Sequence, residues 1–323
     1  MLEKGGRRSA SDERRRYLRW GRIAATIAAV GYLASRVEPR DVLNGFERLS
    51  VGAAATAMTV VLLGLLMGMV RWRLLLRAYG AIDIPPWPRI AHLYLVGHFY
   101  NTYAPGGVGG DVVRGVAGRK AFGDLNWASA TSGVAVVFIE RVIGVSALLV
   151  IATGAYLLRP IPGVENVGVW AALGLTAAAS ALVGIAIAPR LAPFLPDKLG
   201  KPLRALPRLC VIWPFVIAIL LSLMVHLLNV VAGHAIIHSL EPSVTFGESS
   251  VVMPLISASA FFPLTIGGAG VREAAFAALY GTVGVPEAGA YAASLSFWAT
   301  QLISAGIGGV INLLVPLSGS EDG

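Results

Sequence analysis

Two ten-residue stretches place an arginine four positions after a glycine pair. They are Pro105-Gly106-Gly107-Val108-Gly109-Gly110-Asp111-Val112-Val113-Arg114 and Pro263-Leu264-Thr265-Ile266-Gly267-Gly268-Ala269-Gly270-Val271-Arg272, which share the pattern P-x3-G-G-x2-V-R. Paired glycines let the backbone adopt conformations that other residues resist. A new half-helix can therefore begin after Gly109-Gly110 and after Gly267-Gly268. Free N–H groups at such a start attract an anion, and Arg114 or Arg272 about one turn further could grip a phosphate through two parallel hydrogen bonds. Glu273 follows Arg272 directly and could instead simply neutralise it.

A third charged pair, Glu140-Arg141, lies inside the apolar run Phe138–Gly144. Adjacent residues on a helix do not face each other, so each needs its own partner. Asp111 or Glu273 could serve Arg141, and Arg114 could serve Glu140. The plainer alternatives are that Glu140 and Arg141 snorkel toward a membrane boundary and that Arg114 merely belongs to a basic loop. Asn101, with His98, could line a polar cavity beside the first glycine pair. The candidate substrate-binding set is thus Asn101, Gly109, Gly110, Asp111, Arg114, Glu140, Arg141, Gly267, Gly268, Arg272 and Glu273.

Other chemistry finds less support. His234 and His238 stand at i, i+4, but no carboxylate or cysteine accompanies them, so hydrogen bonding between helices is the expected role. The single cysteine, Cys210, rules out a disulfide within the chain and a cysteine metal site. Gly107–Gly110 lacks the preceding strand and the Gly-Lys-Ser/Thr of a nucleotide loop. No cofactor is expected, and no nucleic-acid motif is present.

The setting of these residues is a membrane. Of 323 residues 56% are hydrophobic and only 14% charged, with mean hydropathy +0.71; a soluble domain carries about 25% charged residues. A spanning helix needs roughly 20 apolar residues. Val51–Val70, Gly168–Ala188, Leu209–Leu240 and Ala288–Gly319 qualify, as does Ala128–Leu158 around Glu140-Arg141. Arg22–Arg36 resembles a signal peptide but is read as a retained first helix, because the repeat requires one. Ile90–Gly110 and Ser249–Val271 end in Pro and clustered Gly. Such breaks at membrane depth are tolerated only where protein or water satisfies the backbone, so both are read as re-entrant hairpins.

Shifting the second half back by 158 positions, which carries Arg272 onto Arg114, also lays Leu209–Ala232 on Val51–Leu74 and Ala290–Pro316 on Ser132–Leu158. The fold class expected is an all-α polytopic membrane protein of about six spanning helices plus two re-entrant hairpins in an inverted repeat. Its divisions are a basic segment 1–21, a first repeat 22–158 with a hairpin at about 88–120, and a second repeat 168–317 with a hairpin at about 249–285. Basic residues gather before the first helix, between Val70 and Ala128 (Arg71, Arg73, Arg77, Arg89, Arg114, Arg119, Lys120) and between Ala188 and Leu209. The positive-inside rule puts those segments and both termini in the cytoplasm of a cell membrane. The net charge of +8 then needs no nucleic acid, because basic loops favour an anionic leaflet.

Asn101-x3-Pro105-Gly106-x2-Gly109-Gly110-Asp111-x2-Arg114, Glu140-Arg141-Val142-Ile143-Gly144 and Pro263-x3-Gly267-Gly268-x-Gly270-Val271-Arg272-Glu273 together resemble the motifs of the flippase-like family that includes the transmembrane region of lysylphosphatidylglycerol synthases. The resemblance runs from about the second helix to the end. It implies a protein that moves lipids between leaflets: aminoacylated phosphatidylglycerol in some members, polyprenyl-phosphate sugars in relatives linked to glycosyltransferases. Synthase members carry a soluble aminoacyl-transferase domain after the membrane part. This sequence stops at Gly323, so no enzyme activity is expected of it alone. Expected partners are lipids with anionic head groups and, in the alternative reading, a glycosyltransferase or lipid-modifying enzyme that the protein scaffolds without transport. A homo-oligomer is left open.

Overall fold

The computed structural model describes Arg40 and residues 46–103, 107–123, 127–161, 167–196, 206–259 and 270–316. The basic segment, the first expected helix, Pro105-Gly106 and Gly267-Gly268 fall outside the described residues. Nine α-helices are described: α1 Val51–Ala78, α2 Trp87–Tyr103, α3 Gly109–Gly118, α4 Trp127–Leu158, α5 Val167–Leu191, α6 Ile212–Leu240, α7 Phe246–Ser259, α8 Val271–Gly281 and α9 Glu287–Leu314. No strand occurs among the described residues. In α1, α6, α9 and the Thr131–Leu158 part of α4, the helix is long and apolar enough to cross a membrane. A helix satisfies its own backbone, which lipid cannot do. Helix α5 contains a shorter apolar stretch, Ala172–Gly184.

One boundary differs from the sequence expectation. The apolar run Val51–Val70 was expected to end in a basic loop, yet α1 continues through Arg71 to Ala78. Arg71, Trp72, Leu75 and Leu76 are all buried. They share the inward face of the last two turns, and a buried partner for Arg71 (below) lets the helix keep going.

Four elements recur in order, and α6 to α9 each start within a few residues of the position that the shift of α1 to α4 assigns. The equivalent helices α1 and α6 run antiparallel. At one end the Ala78 carbonyl accepts from Cys210 N (2.8 Å) and Val211 N (3.1 Å). Arg71 meets Ser222 further along, and at the other end Ser50 N donates to Ser239 Oγ at 2.9 Å. The halves exchange partners: α2 packs against α9, and α7 against α4. The α2–α9 crossing is so close that a Cβ on Gly308 would lie 2.0 Å from the Leu95 carbonyl oxygen.

Helices α2 and α3 form an antiparallel pair. Both of its outer ends lie beside the end of α1, because Ile82 N and Asp83 N donate to the Ala121 carbonyl (2.8 and 3.1 Å). The α6–α7 connection lies at the opposite end of the molecule. There Glu248 is 4.0 Å from Arg159, just past α4, and a Cβ on Gly289 near the start of α9 would touch Glu241. Helix α3, with 10 residues, is about 15 Å long, and α8, with 11, about 16 Å; neither matches a hydrocarbon core of about 30 Å.

Candidate functional site

The site is built where α2 turns back into α3. Asn101, in the last turn of α2, reaches across with its side-chain oxygen to accept from Gly110 N (2.8 Å) and Asp111 N (3.2 Å), while its amide nitrogen donates to Asp111 Oδ1 (3.0 Å). These N–H groups are therefore already capped, and the open anion cradle expected at this helix start is filled by the chain's own amide. Gly110 is required by the crossing itself, since a Cβ there would sit 1.7 Å from the Gly97 carbonyl oxygen. Gly107 has φ +64°, and its carbonyl accepts from Arg141 Nη2 at 3.0 Å.

From this turn a continuous ionic network runs into the core. Asp111 Oδ1 accepts from Arg114 Nη2 (2.9 Å) and its Oδ2 from Arg141 Nε (2.5 Å). Arg114 Nη1 donates to Glu140 Oε2 at 2.7 Å. The other oxygen of Glu140 accepts from Arg71 Nε (3.2 Å) and Nη2 (2.7 Å), and Arg71 Nη1 donates to Ser222 Oγ (2.8 Å) on α6. Tyr94 and Trp72 lie under the Arg114 guanidinium, with ring centroids 4.8 and 5.6 Å from its carbon. Arg71, Arg114 and Glu140 are 8%, 7% and 2% exposed, so they do not snorkel. Arg141 is different, with 30% of its side chain exposed. Among the described residues the network brings three guanidinium groups to two carboxylates, in elements that cross or enter apolar surroundings. Ionised groups persist in such places only when paired and hydrogen-bonded.

Glu140 finds its proposed partner Arg114, together with the unforeseen Arg71, and Arg141 bonds Asp111, one of its two candidates alongside Glu273. In the second motif the pairing is the neutralising one that adjacency suggested for Glu273. Arg272 and Glu273, though neighbours, bond directly: Arg272 Nε donates to Glu273 Oε1 at 3.0 Å, and Nη2 reaches the same oxygen. The reason lies in the start of α8. Glu273 turns back to accept from Gly270 N (2.6 Å), where Gly270 has φ +86°, and this holds the carboxylate beside Arg272. Ser294 Oγ lies 3.3 Å from both partners, and the Arg272 guanidinium stacks 5.0 Å above the Trp298 ring. No described contact joins the two arginine sites.

Sequence reasoning missed Arg71 and Ser222. Arg71 was counted with the loop arginines because a run of charge begins there. The available signal was helical periodicity, with Arg71 on the same face as Trp72, Leu75 and Leu76. Ser222 gave no signal, because one hydroxyl in an apolar helix has many uses. His234 acts as expected between helices, whereas His98, expected to line a polar cavity, serves a helix seam instead. His234 Nδ1 meets Ser249 Oγ at 3.0 Å across α6 and α7, and His98 Nε2 meets Ser304 Oγ at 3.1 Å across α2 and α9. His98 thus faces α9, while Asn101 is committed to α3. Both serines are fully buried, which fits seams between helices rather than nucleophiles.

A search of curated proteins found no match. The family model described as the lysylphosphatidylglycerol synthase TM region matches residues 19–309, a stretch that contains every residue of the network. With its apolar spanning helices, the chain is an integral, multi-pass membrane protein that belongs to the lysylphosphatidylglycerol synthase transmembrane-region family.

Proposed function

We propose that the protein translocates an anionic or aminoacylated phospholipid, or a polyprenyl-phosphate-linked sugar, between the leaflets of the cell membrane. The observation that carries this reading is the buried network at the α2–α3 turn, where the described residues bring three guanidinium groups to two carboxylates and Arg141 keeps 30% of its side chain exposed. Guanidinium groups in low dielectric favour a phosphate, and the acyl or prenyl chains would remain in the bilayer. The network has the chemistry to hold an anion rather than to break a bond, so no catalysis is assigned.

Arg114 is enclosed by Glu140 and Asp111, whereas Arg141, itself bonded to Asp111 and the Gly107 carbonyl, keeps 30% of its side chain exposed and meets the head group there, while Arg114 and Arg71 position the carboxylates. The short α3 and the shared location of both ends of the α2–α3 pair support a re-entrant hairpin, and α7–α8 is read as its counterpart from the opposite face. The antiparallel α1 and α6 support inverted halves, the construction expected for alternating access around a midplane site. Basic segments beside the α1–α2 connection and before α6 orient that end, and both termini, toward the cytoplasm.

The test is scrambling of fluorescent phosphatidylglycerol in proteoliposomes. Wild-type protein should exceed protein-free vesicles, and Arg141→Gln should slow it roughly tenfold, the loss of one charge-assisted contact. Wild-type vesicles no faster than empty ones would overturn the reading. The second reading, a non-transporting scaffold for a glycosyltransferase or lipid-modifying enzyme, is favoured by one feature: Arg71, Arg114, Arg141 and Arg272 are each already bonded to a carboxylate of the chain. Stable co-purification of such an enzyme, together with absent scrambling, would select it.

A further inference from the structure

The shift that relates the halves also relates their packing. Helix α1 packs on α2 as α6 packs on α7, and α1 on α4 as α6 on α9. The crossings α2–α9 and α7–α4 correspond, as do α1–α9 and α6–α4, α2–α3 and α7–α8, and α3–α4 and α8–α9. Among the described α-helices one principal packing lacks a counterpart, that of α5 against α4. Its counterpart would lie against α9 and would come from the chain before α1.

The side chains of α9 agree. A Cβ on Gly174 of α5 would meet Leu149 Cδ1 at 2.9 Å, and one on Gly168 would meet Tyr156 at 3.3 Å, so α5 runs antiparallel to α4. The shift carries Leu149 onto Ile307 and Tyr156 onto Leu314. Leu149 is 8% exposed, whereas Ile307 is 40% and Leu314 77% exposed. With the exposed Ile303 and Val310 they form one apolar stripe at i, i+4, i+7 and i+11 along α9.

We propose that this stripe seats the chain's own N-terminal apolar segment, residues 22–36, which packs on α9 as α5 packs on α4. Between Arg22 and Arg36 the segment carries no charge, and like the α5 stretch Ala172–Gly184 it is rich in alanine, which lets helices approach closely. The chain can reach. Ser50 N bonds Ser239 Oγ at the end of α6 where the Glu241 carboxylate lies against Gly289, so α1 and α9 start at the same end of the molecule. Residues 37–50 supply up to about 45 Å of extended chain between the segment and α1. The segment leads toward that end and α9 leads away from it, so the two are antiparallel, as α5 and α4 are.

The experiment is disulfide trapping in native membranes, on the full chain with Cys210→Ser. Ile307→Cys is combined in turn with a single cysteine at each of positions 23–34, and Leu173→Cys on the exposed face of α5 gives the comparison. Oxidation should trap Ile307→Cys within one chain, several-fold above Leu173→Cys, at positions recurring every three or four residues. Ile303→Cys, one turn nearer the start of α9, should move that pattern toward position 36. The spacing is read from the whole scan, so one poorly inserted variant does not decide it. The proposal is overturned if no position is trapped above the Leu173→Cys level, which leaves the stripe to lipid. It is equally overturned if Ile307→Cys alone is trapped as a covalent dimer in place of the intrachain link, which gives the stripe to a second copy. N-terminal sequencing that shows the segment removed from the membrane-inserted protein would overturn it as well.

Discussion

Removing the charge of Glu140 is the sharpest test of the network. Its two oxygens take three charge-assisted hydrogen bonds, two from Arg71 and one from Arg114, at 2.7 to 3.2 Å, and the residue is 2% exposed. Glu140→Gln keeps the shape but turns an N–H2 group toward guanidinium donors, strands the buried Arg71 and leaves Arg114 with Asp111 alone. Breaking a buried ion pair from one side costs about 3–5 kcal/mol, a large share of a typical stability of about 5–15 kcal/mol. At about 2–4 °C per kcal/mol for a large domain, the midpoint should fall by about 6–20 °C. The assay is a thermal melt in mild detergent, followed by size-exclusion recovery and tryptophan fluorescence, since Trp72 lies beside Arg114. Adding Arg71→Gln to Glu140→Gln removes one stranded charge. The double variant should therefore be more stable than the sum of the two single losses predicts, by about 1–3 kcal/mol of coupling. A Glu140→Gln midpoint within about 1 °C of wild type, or strictly additive losses, would refute the network as a structural unit.

Two further outcomes follow from the backbone. Gly110→Ala puts a methyl group 1.7 Å from the Gly97 carbonyl oxygen, so it must part α2 from α3; folded yield should drop and stability fall by about 1–3 kcal/mol or more, while Val112→Ala on an exposed face should melt like wild type. Cys210 is exposed at the α1–α6 end where the α2–α3 pair begins. It should label with an impermeant maleimide from one side of sealed vesicles, and Cys210→Ser combined with Glu287→Cys only from the other; labelling from the same side would sink the inverted arrangement.

The His234 seam and the Asp111–Arg141 and Glu140–Arg114 pairs were legible because a buried charge or imidazole has few acceptable partners in an apolar chain. The capping of α3 by Asn101 was not, although Asn101 itself was singled out. Which backbone N–H groups a side chain reaches depends on how two helices cross. Neutralisation of Arg272 by Glu273 was legible from their adjacency, but the geometry that lets neighbours bond was not. Helical spacing separates neighbours, but the left-handed Gly270 lets Glu273 fold back over the helix start, and this is a property of the turn.

Taken alone, the sequence determined the class of the protein and the order of its elements. Apolar run length is dictated by bilayer thickness, and glycine–proline clusters mark where a helix must break, so both can be read position by position. The offset from Arg114 to Arg272 likewise needs only counting. Tertiary structure decided the rest. It showed that Arg71 belongs to the core rather than to a loop, and that Glu140 joins two guanidinium groups from different helices. It also showed that Ser222, a residue of the second half, completes a network begun in the first. These outcomes depend on which faces of antiparallel helices meet, and no one-dimensional pattern encodes that meeting before the halves are packed together.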